Sequence, residues 1–163
     1  MSAHTECESV KLLLDQLTQN VERILGSNFV GCYLFGSLVV GDFDPATSDV
    51  DVLVLSLQNL NPSEVELLSV FHKTLFESKT AFSTELECFY ASKKDLQNFI
   101  QGTSTCYKVD RGCGSPLLET LDADWVINAF SLLNHGKTVI VRTHRTSERR
   151  SKDHHASVDI TAH

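Results

Sequence analysis

The residues with the clearest chemical potential are two aspartates and a glycine-serine pair. Asp49 and Asp51 stand at the head of an apolar run, Val50 to Leu55, and Gly36-Ser37 closes an earlier one, Phe29 to Phe35. The pattern predicts a strand, a tight polar turn, a short connection and a second strand. Side chains alternate faces along a strand, so Asp49 and Asp51 point the same way, with Cα atoms roughly 6.5 to 7 Å apart. Val50, Val52 and Val54 point the other way, into a core. Two ionised carboxylates near 6 Å repel by roughly 3 kcal/mol at an effective dielectric of about 20. A divalent cation between them removes that cost. Carboxylate oxygens without nearby His or Cys favour a hard ion, and Mg²⁺ characteristically takes one or two carboxylates together with phosphate oxygens and water. Gly36-Ser37 suits the phosphate: glycine admits close approach of backbone N–H groups, and the hydroxyl adds a donor. A second Asp-x-Asp, Asp42 and Asp44, lies beside Pro45 and reads as turn-forming.

Gly36-Ser37, eleven intervening residues and then Asp49-Val50-Asp51 resemble the signature of the DNA polymerase β-like nucleotidyltransferase superfamily. The longer string from Tyr33 to Val54 is most similar to the aminoglycoside adenylyltransferases of the streptomycin and spectinomycin type. The resemblance implies an α/β (α+β) nucleotidyltransferase fold, a small mixed sheet flanked by helices. It also implies that Asp49 and Asp51 hold Mg²⁺ on the triphosphate of ATP, with Gly36, Ser37 and Ser48 binding the nucleotide. A third acid is expected from the segment Leu86-Glu87-Cys88-Phe89-Tyr90. Glu87 is assigned as that metal ligand and as base toward the acceptor hydroxyl, with Glu85, two residues earlier on the same face, as its rival. The implied reaction is AMP transfer to a small hydroxylated acceptor such as an aminoglycoside, hence antibiotic resistance. Two alternatives stand beside it: a minimal enzyme that AMPylates a protein partner, as in toxin-antitoxin systems, and an inactive nucleotide-binding module.

Length and composition bound these readings. At 163 residues and 42% hydrophobic, the chain is sized for one domain with a real core. The net charge of −7 argues against a nucleic-acid surface, which requires a basic footprint. Residues 1–141 hold 18 Asp/Glu against 9 Lys/Arg, which suits a cationic small substrate. Cys7, Cys32, Cys88, Cys106 and Cys113 are scattered without metal spacing and read as reduced thiols. No signal-peptide pattern or membrane-length apolar run is present, so a cytoplasmic location is expected and no membrane partner.

The flanking pattern supplies the supports. Apolar residues at helical spacing from Val10 to Leu25 predict a helix over 6–25, capped by Gly26. Asn61-Pro62-Ser63-Glu64 reads as N-cap, N1 proline and capping-box acid, opening a helix to Lys79. Residues 85–91 alternate as a third strand, and Ser92 caps a short helix containing Asp95 and Leu96, with Phe99 and Ile100 beyond. Residues 103–116, broken by Gly and Pro, read as loop. Asp122 to Gly136 is helical in pattern, with Trp125 in the core, and Thr138 to Val141 forms a closing strand. The nucleotidyltransferase domain is expected over 1–141. Residues 142–163 form a polar tail too poor in apolar residues to order; His154-His155 there carry no enforced metal geometry. The resembled enzymes continue instead into a helical domain that builds much of the aminoglycoside site, so a shortened member is expected.

Overall fold

The computed structural model describes residues 3–97, 103–121 and 134–141, with Trp125, Asn128, Ala129 and Leu132. The 142–163 tail, Phe99 and Ile100 lie outside the described residues. The elements are α1 (Ala3–Leu25), β1 (Phe29–Phe35), α2 (Ser37–Val40), β2 (Val50–Ser56), α3 (Pro62–Glu77), β3 (Leu86–Ser92), α4 (Lys93–Gln97), β4 (Thr105–Val109), β5 (Leu117–Thr120) and β6 (Lys137–Val141). Trp125, Asn128, Ala129, Leu132, Asn134 and His135 are helical. Six strands form one mixed sheet in the order β5-β4-β3-β2-β1-β6. Among the described strands only β2 and β3 pair in parallel, and the chain joins them through α3, because parallel neighbours need a long crossover.

Helix α1 buries Val10, Leu13, Leu14, Leu17 and Val21 against the sheet, and Gly26, at φ +50°, turns the chain out of it toward β1. Helix α3 opens as its sequence dictates. Asn61 Oδ1 accepts from the Glu64 N–H at 3.0 Å, Glu64 Oε2 accepts from the Asn61 N–H at 2.8 Å, and Pro62 occupies the first turn. Capping of this kind is worth about 1 kcal/mol. Glu64 also accepts from Asn28 Nδ2 at 3.1 Å, tying the helix start to the residue that precedes β1. At α4, Ser92 Oγ accepts from the Asp95 N–H at 3.1 Å.

Because β2 and β3 are covered on both faces, their apolar runs are nearly continuous. One face carries Val50, Val52, Val54, Leu86, Cys88 and Tyr90 against α1 and α3. The other carries Leu53, Phe89 and Ala91 against a smaller cluster that includes Phe35, Leu121 and Trp125. Asp51 and Glu87 share the parity of Leu53 and Phe89, so they lie on the side of this smaller cluster, and both are partly exposed.

Two expectations over residues 36–120 need correction. Gly36-Ser37 is followed by a helical turn, α2, rather than by turn residues alone. Residues 103–116 contain a strand: β4 pairs antiparallel with β3 through Cys88↔Val109, Phe89↔Lys108 and Tyr90↔Tyr107. The strand is short, contains Cys106, and does not alternate cleanly in burial, so tertiary pairing rather than local pattern defines it. β5 is a four-residue edge strand of the same kind.

Helix α3 also buries a residue that its apolar pattern omits. His72, 2% exposed, lies 2.6 Å through Nε2 from the Tyr90 hydroxyl, and burial pushes its pKa down to about 4. The ring is therefore neutral in the native state across the pH range in which an unfolded histidine gains a proton. Between pH 6.5 and about 4 the unfolded chain binds more protons at this position, so its contribution to stability is intact above 6.5 and is lost as pH falls through that window. An NMR titration of the His72 ring should show no protonation above pH 5; a midpoint near 6.5 would contradict the burial.

Candidate active site

The site is assembled by three strand ends. β1 and β2 are antiparallel with Phe35 opposite Asp51, so the residue leaving β1, Gly36, comes to rest beside the Asp51 carboxylate. β2 and β3 are parallel with Asp51 opposite Glu87, so the third acid lies one strand over at the same level. Asp49, just before β2, follows the parity of Asp51.

Gly36 adopts φ +70°, ψ −154°, a conformation confined essentially to glycine. A Cβ at this position would collide with Oδ2 of Asp51 and come within 2.8 Å of its Cγ. The glycine is thus required twice, once by the backbone and once by the carboxylate lying against it. The chain then coils through α2, with Gly41 N–H and Asp42 N–H both donating to Ser37 O at 3.1 Å. The connection to β2 is closed locally: Asp44 Oδ1 accepts from Ala46 N–H at 2.9 Å, and Ser48 Oγ accepts from Asp44 N–H at 2.9 Å. Asp44 is therefore a turn residue, as its place beside Pro45 suggests, and Ser48 sits at the hinge leading to Asp49.

Asp51 is the most perturbed acid of the group. Burial first, then the negative charges of Glu87 and Asp49, raise its pKa to about 6, with Lys108 opposing. This is the electrostatic signature of carboxylates crowded at a partly dry position. The structure also brings in two residues that sequence reasoning passed over. Lys108 on β4 pairs with Glu87 Oε1 at 3.2 Å and Asp110 Oδ1 at 2.6 Å, and its Nζ lies 5.2 Å from the centre of the Phe89 ring. Burial lowers the lysine pKa, but the Asp110 hydrogen bond and Glu87 outweigh it and the net shift is upward. Arg111, in the loop after β4, pairs with Asp49 Oδ1 at 2.6 Å and Glu85 Oε2 at 2.5 Å, and donates to Thr47 O at 3.0 Å. A signal for both existed: they are two of only nine Lys/Arg in residues 1–141. Reading 103–116 as loop hid the strand that aims them.

The donor set is three carboxylates of a hard, oxygen-only character, which fits Mg²⁺. As they stand, no three His, Cys, Asp or Glu side chains among the described residues converge closely enough to hold a metal, for Asp49 and Glu87 are turned toward Arg111 and Lys108. Cys106 is buried and Cys113 lies in the loop beyond Arg111, so neither belongs to the acidic group. No helix among the described residues is long and apolar enough to cross a membrane.

A mixed sheet with a glycine turn packed on one of three neighbouring acids defines a class that comparison with known proteins makes specific. Residues 14–102, more than half of the chain, match the nucleotidyltransferase domain family, and the chain belongs to that family. Among solved structures it is similar to the spectinomycin adenyltransferase AAD(9) from Enterococcus faecialis with ATP and spectinomycin, at a TM-score of 0.66 and 17% identity over 83% of this chain. That likeness shows the fold, and the chain spans 56% of the length of that enzyme. A Sulfolobus solfataricus protein assigned as a nucleotidyltransferase aligns over 57% of this chain and 78% of its own, at 21% identity and a TM-score of 0.37, too low to carry an argument. Against the curated proteins the chain finds no match.

Proposed function

We propose that this chain transfers AMP from ATP to a hydroxyl of a small cationic acceptor, of which an aminoglycoside is the class best supported. The observation that carries the reading is Asp51: its carboxylate fills the space where a Cβ of residue 36 would stand, opposite Glu87 and beside the charge of Asp49. In this reading Asp49, Asp51 and Glu87 hold Mg²⁺, and Gly36, Ser37 and Ser48 bind the nucleotide phosphates. Mg²⁺ would neutralise charge on the phosphates and on the leaving pyrophosphate. Glu87 accepts the acceptor's proton; the acceptor oxygen bonds to the α-phosphorus as the bond to pyrophosphate breaks. No covalent enzyme intermediate is needed, since positioning and charge stabilisation carry this chemistry. The cationic acceptor suits a body with twice as many acidic as basic residues, and the neighbour solved with ATP and spectinomycin supports both the nucleotide and the acceptor class.

Incubation with ATP labelled at the α-phosphate, Mg²⁺ and a panel of aminoglycosides tests the proposal. Label should pass to a drug with the native chain and not with Asp49→Asn. Label on a co-purified protein instead would favour AMPylation of a partner, and nucleotide binding without transfer would favour an idle module. Undiminished transfer by Asp49→Asn would overturn the metal assignment.

A further inference from the structure

Among the described residues Arg111 makes three polar contacts, and one of them is to an acid of the proposed cation site. Nη1 pairs with Asp49 at 2.6 Å and also donates to the Thr47 carbonyl at 3.0 Å, while Nε pairs with Glu85 at 2.5 Å. Glu85 is itself steadied by Thr84 Oγ1, which donates to its Oε1 at 3.0 Å. A guanidinium cannot discharge itself by losing a proton. When a divalent cation takes Asp49, attraction at that contact is replaced by cation–cation repulsion, yet Glu85 and Thr47 O still tether the side chain at the rim. The Nη1 donor released from Asp49 belongs to a planar, permanently charged guanidinium whose geometry suits phosphate oxygens, and the polyphosphate is the anion that the same cation brings.

We propose, resting on the function assigned above, that Arg111 is handed from Asp49 to the polyphosphate of the nucleotide as the divalent cation binds. Arg111 is the counter-ion of Asp49 in the cation-free protein and a phosphate-binding residue in the loaded one. It therefore opposes binding of the cation alone and favours binding of the cation with nucleotide. Lys108 differs in that its shorter contact is to Asp110, outside the acidic trio, at 2.6 Å against 3.2 Å to Glu87. It can release Glu87 without leaving its own place over Phe89, so the two cations have separable roles.

The opposite signs make the test decisive. Mn²⁺ binding is followed by electron paramagnetic resonance, first alone and then with an α,β-methylene analogue of ATP, which cannot transfer AMP. Removing an exposed ion-pair partner should tighten Mn²⁺ alone by about 5-fold in Arg111→Gln. Losing a charge-assisted hydrogen bond should weaken the analogue, at saturating Mn²⁺, by about 10-fold. Arg111→Lys, which keeps the charge, should leave the Mn²⁺ affinity near native and recover part of the nucleotide affinity. Thermal unfolding of each variant verifies that the fold is intact. Unchanged affinities in Arg111→Gln, with binding abolished in Asp51→Asn, would overturn the handover and leave the site standing. A parallel fall of both affinities would reduce Arg111 to a structural support and also overturn it. If the native chain binds neither Mn²⁺ nor the analogue, the site assignment fails and the handover with it.

Discussion

Replacing Gly36 by alanine should lower kcat/KM by about 100-fold or more, the scale of loss that follows a displacement of about 1 Å in a catalytic group. Two effects combine at this position. The backbone at φ +70°, ψ −154° is strained for any residue with a Cβ, at about 1 to 3 kcal/mol. The new methyl would also occupy the space of the Asp51 carboxylate, and this short side chain can move only by leaving the level of Glu87. Gly41→Ala is the matched control. Gly41 has φ +83°, but a Cβ there meets nothing within 4 Å. It should therefore lose stability through backbone strain and keep its activity. Steady-state kinetics and thermal unfolding of the two variants separate strain from displacement; equal activities would remove Gly36 from the site.

The second large effect has opposite signs in activity and stability. Asp51→Asn should reduce AMP transfer by about 1,000-fold or more, since a metal-held charge supplies several kcal/mol of transition-state stabilisation and each 1.36 kcal/mol is tenfold. The same change should stabilise the metal-free fold. Burial, Glu87 and Asp49 hold the Asp51 pKa at about 6, above the 3.8 of a free side chain. In the interval from 3.8 to 6 the native state binds the proton that the unfolded state has released. This contribution to stability is present below 3.8 and is lost as pH rises through 6. The loss is at most about 3 kcal/mol from the shift itself, and about 2 once the solvent that reaches this half-buried group is allowed for. The variant's advantage in urea-unfolding free energy should thus be near zero at pH 4 and reach its full size by pH 7. An advantage independent of pH would place its origin in packing instead. Stability given up at a position that chemistry requires is a common feature of active sites.

These predictions rest on residues legible in the sequence itself, and the reason is physical. Val50, Val52 and Val54 alternate with Asp49, Asp51 and Leu53, so period two alone puts the acids on one side and a core on the other. The 7-residue strands β1 and β2 and the capping box of α3 are encoded by neighbours within four residues of one another. The residue pattern by itself shows Glu87 only as a strand residue; its place beside Asp49 and Asp51 is expected from the family resemblance alone. That relation is set by the β2–β3 register, which depends on how α3 packs. The cations were harder still. Lys108 and Arg111 reach the acids because the short strand β4 pairs with β3, and five residues carry too little local pattern to announce a strand. His72 shows the same limit in the core, for a histidine in a helix becomes a buried partner of Tyr90 only through the face that α3 turns to the sheet.

Binding of a nucleotide by Asp49, Asp51 and Glu87 through a shared divalent cation, as proposed, is tested most directly by Mn²⁺ paramagnetic resonance with the α,β-methylene ATP analogue. The native chain should take Mn²⁺ out of the free signal when the analogue is present, and the analogue should fail to bind once the cation is chelated. Asp51→Asn should leave the free Mn²⁺ signal of the cation–analogue mixture unchanged. Equal Mn²⁺ uptake by the native chain and Asp51→Asn, or analogue binding that persists without a divalent cation, would contradict the account.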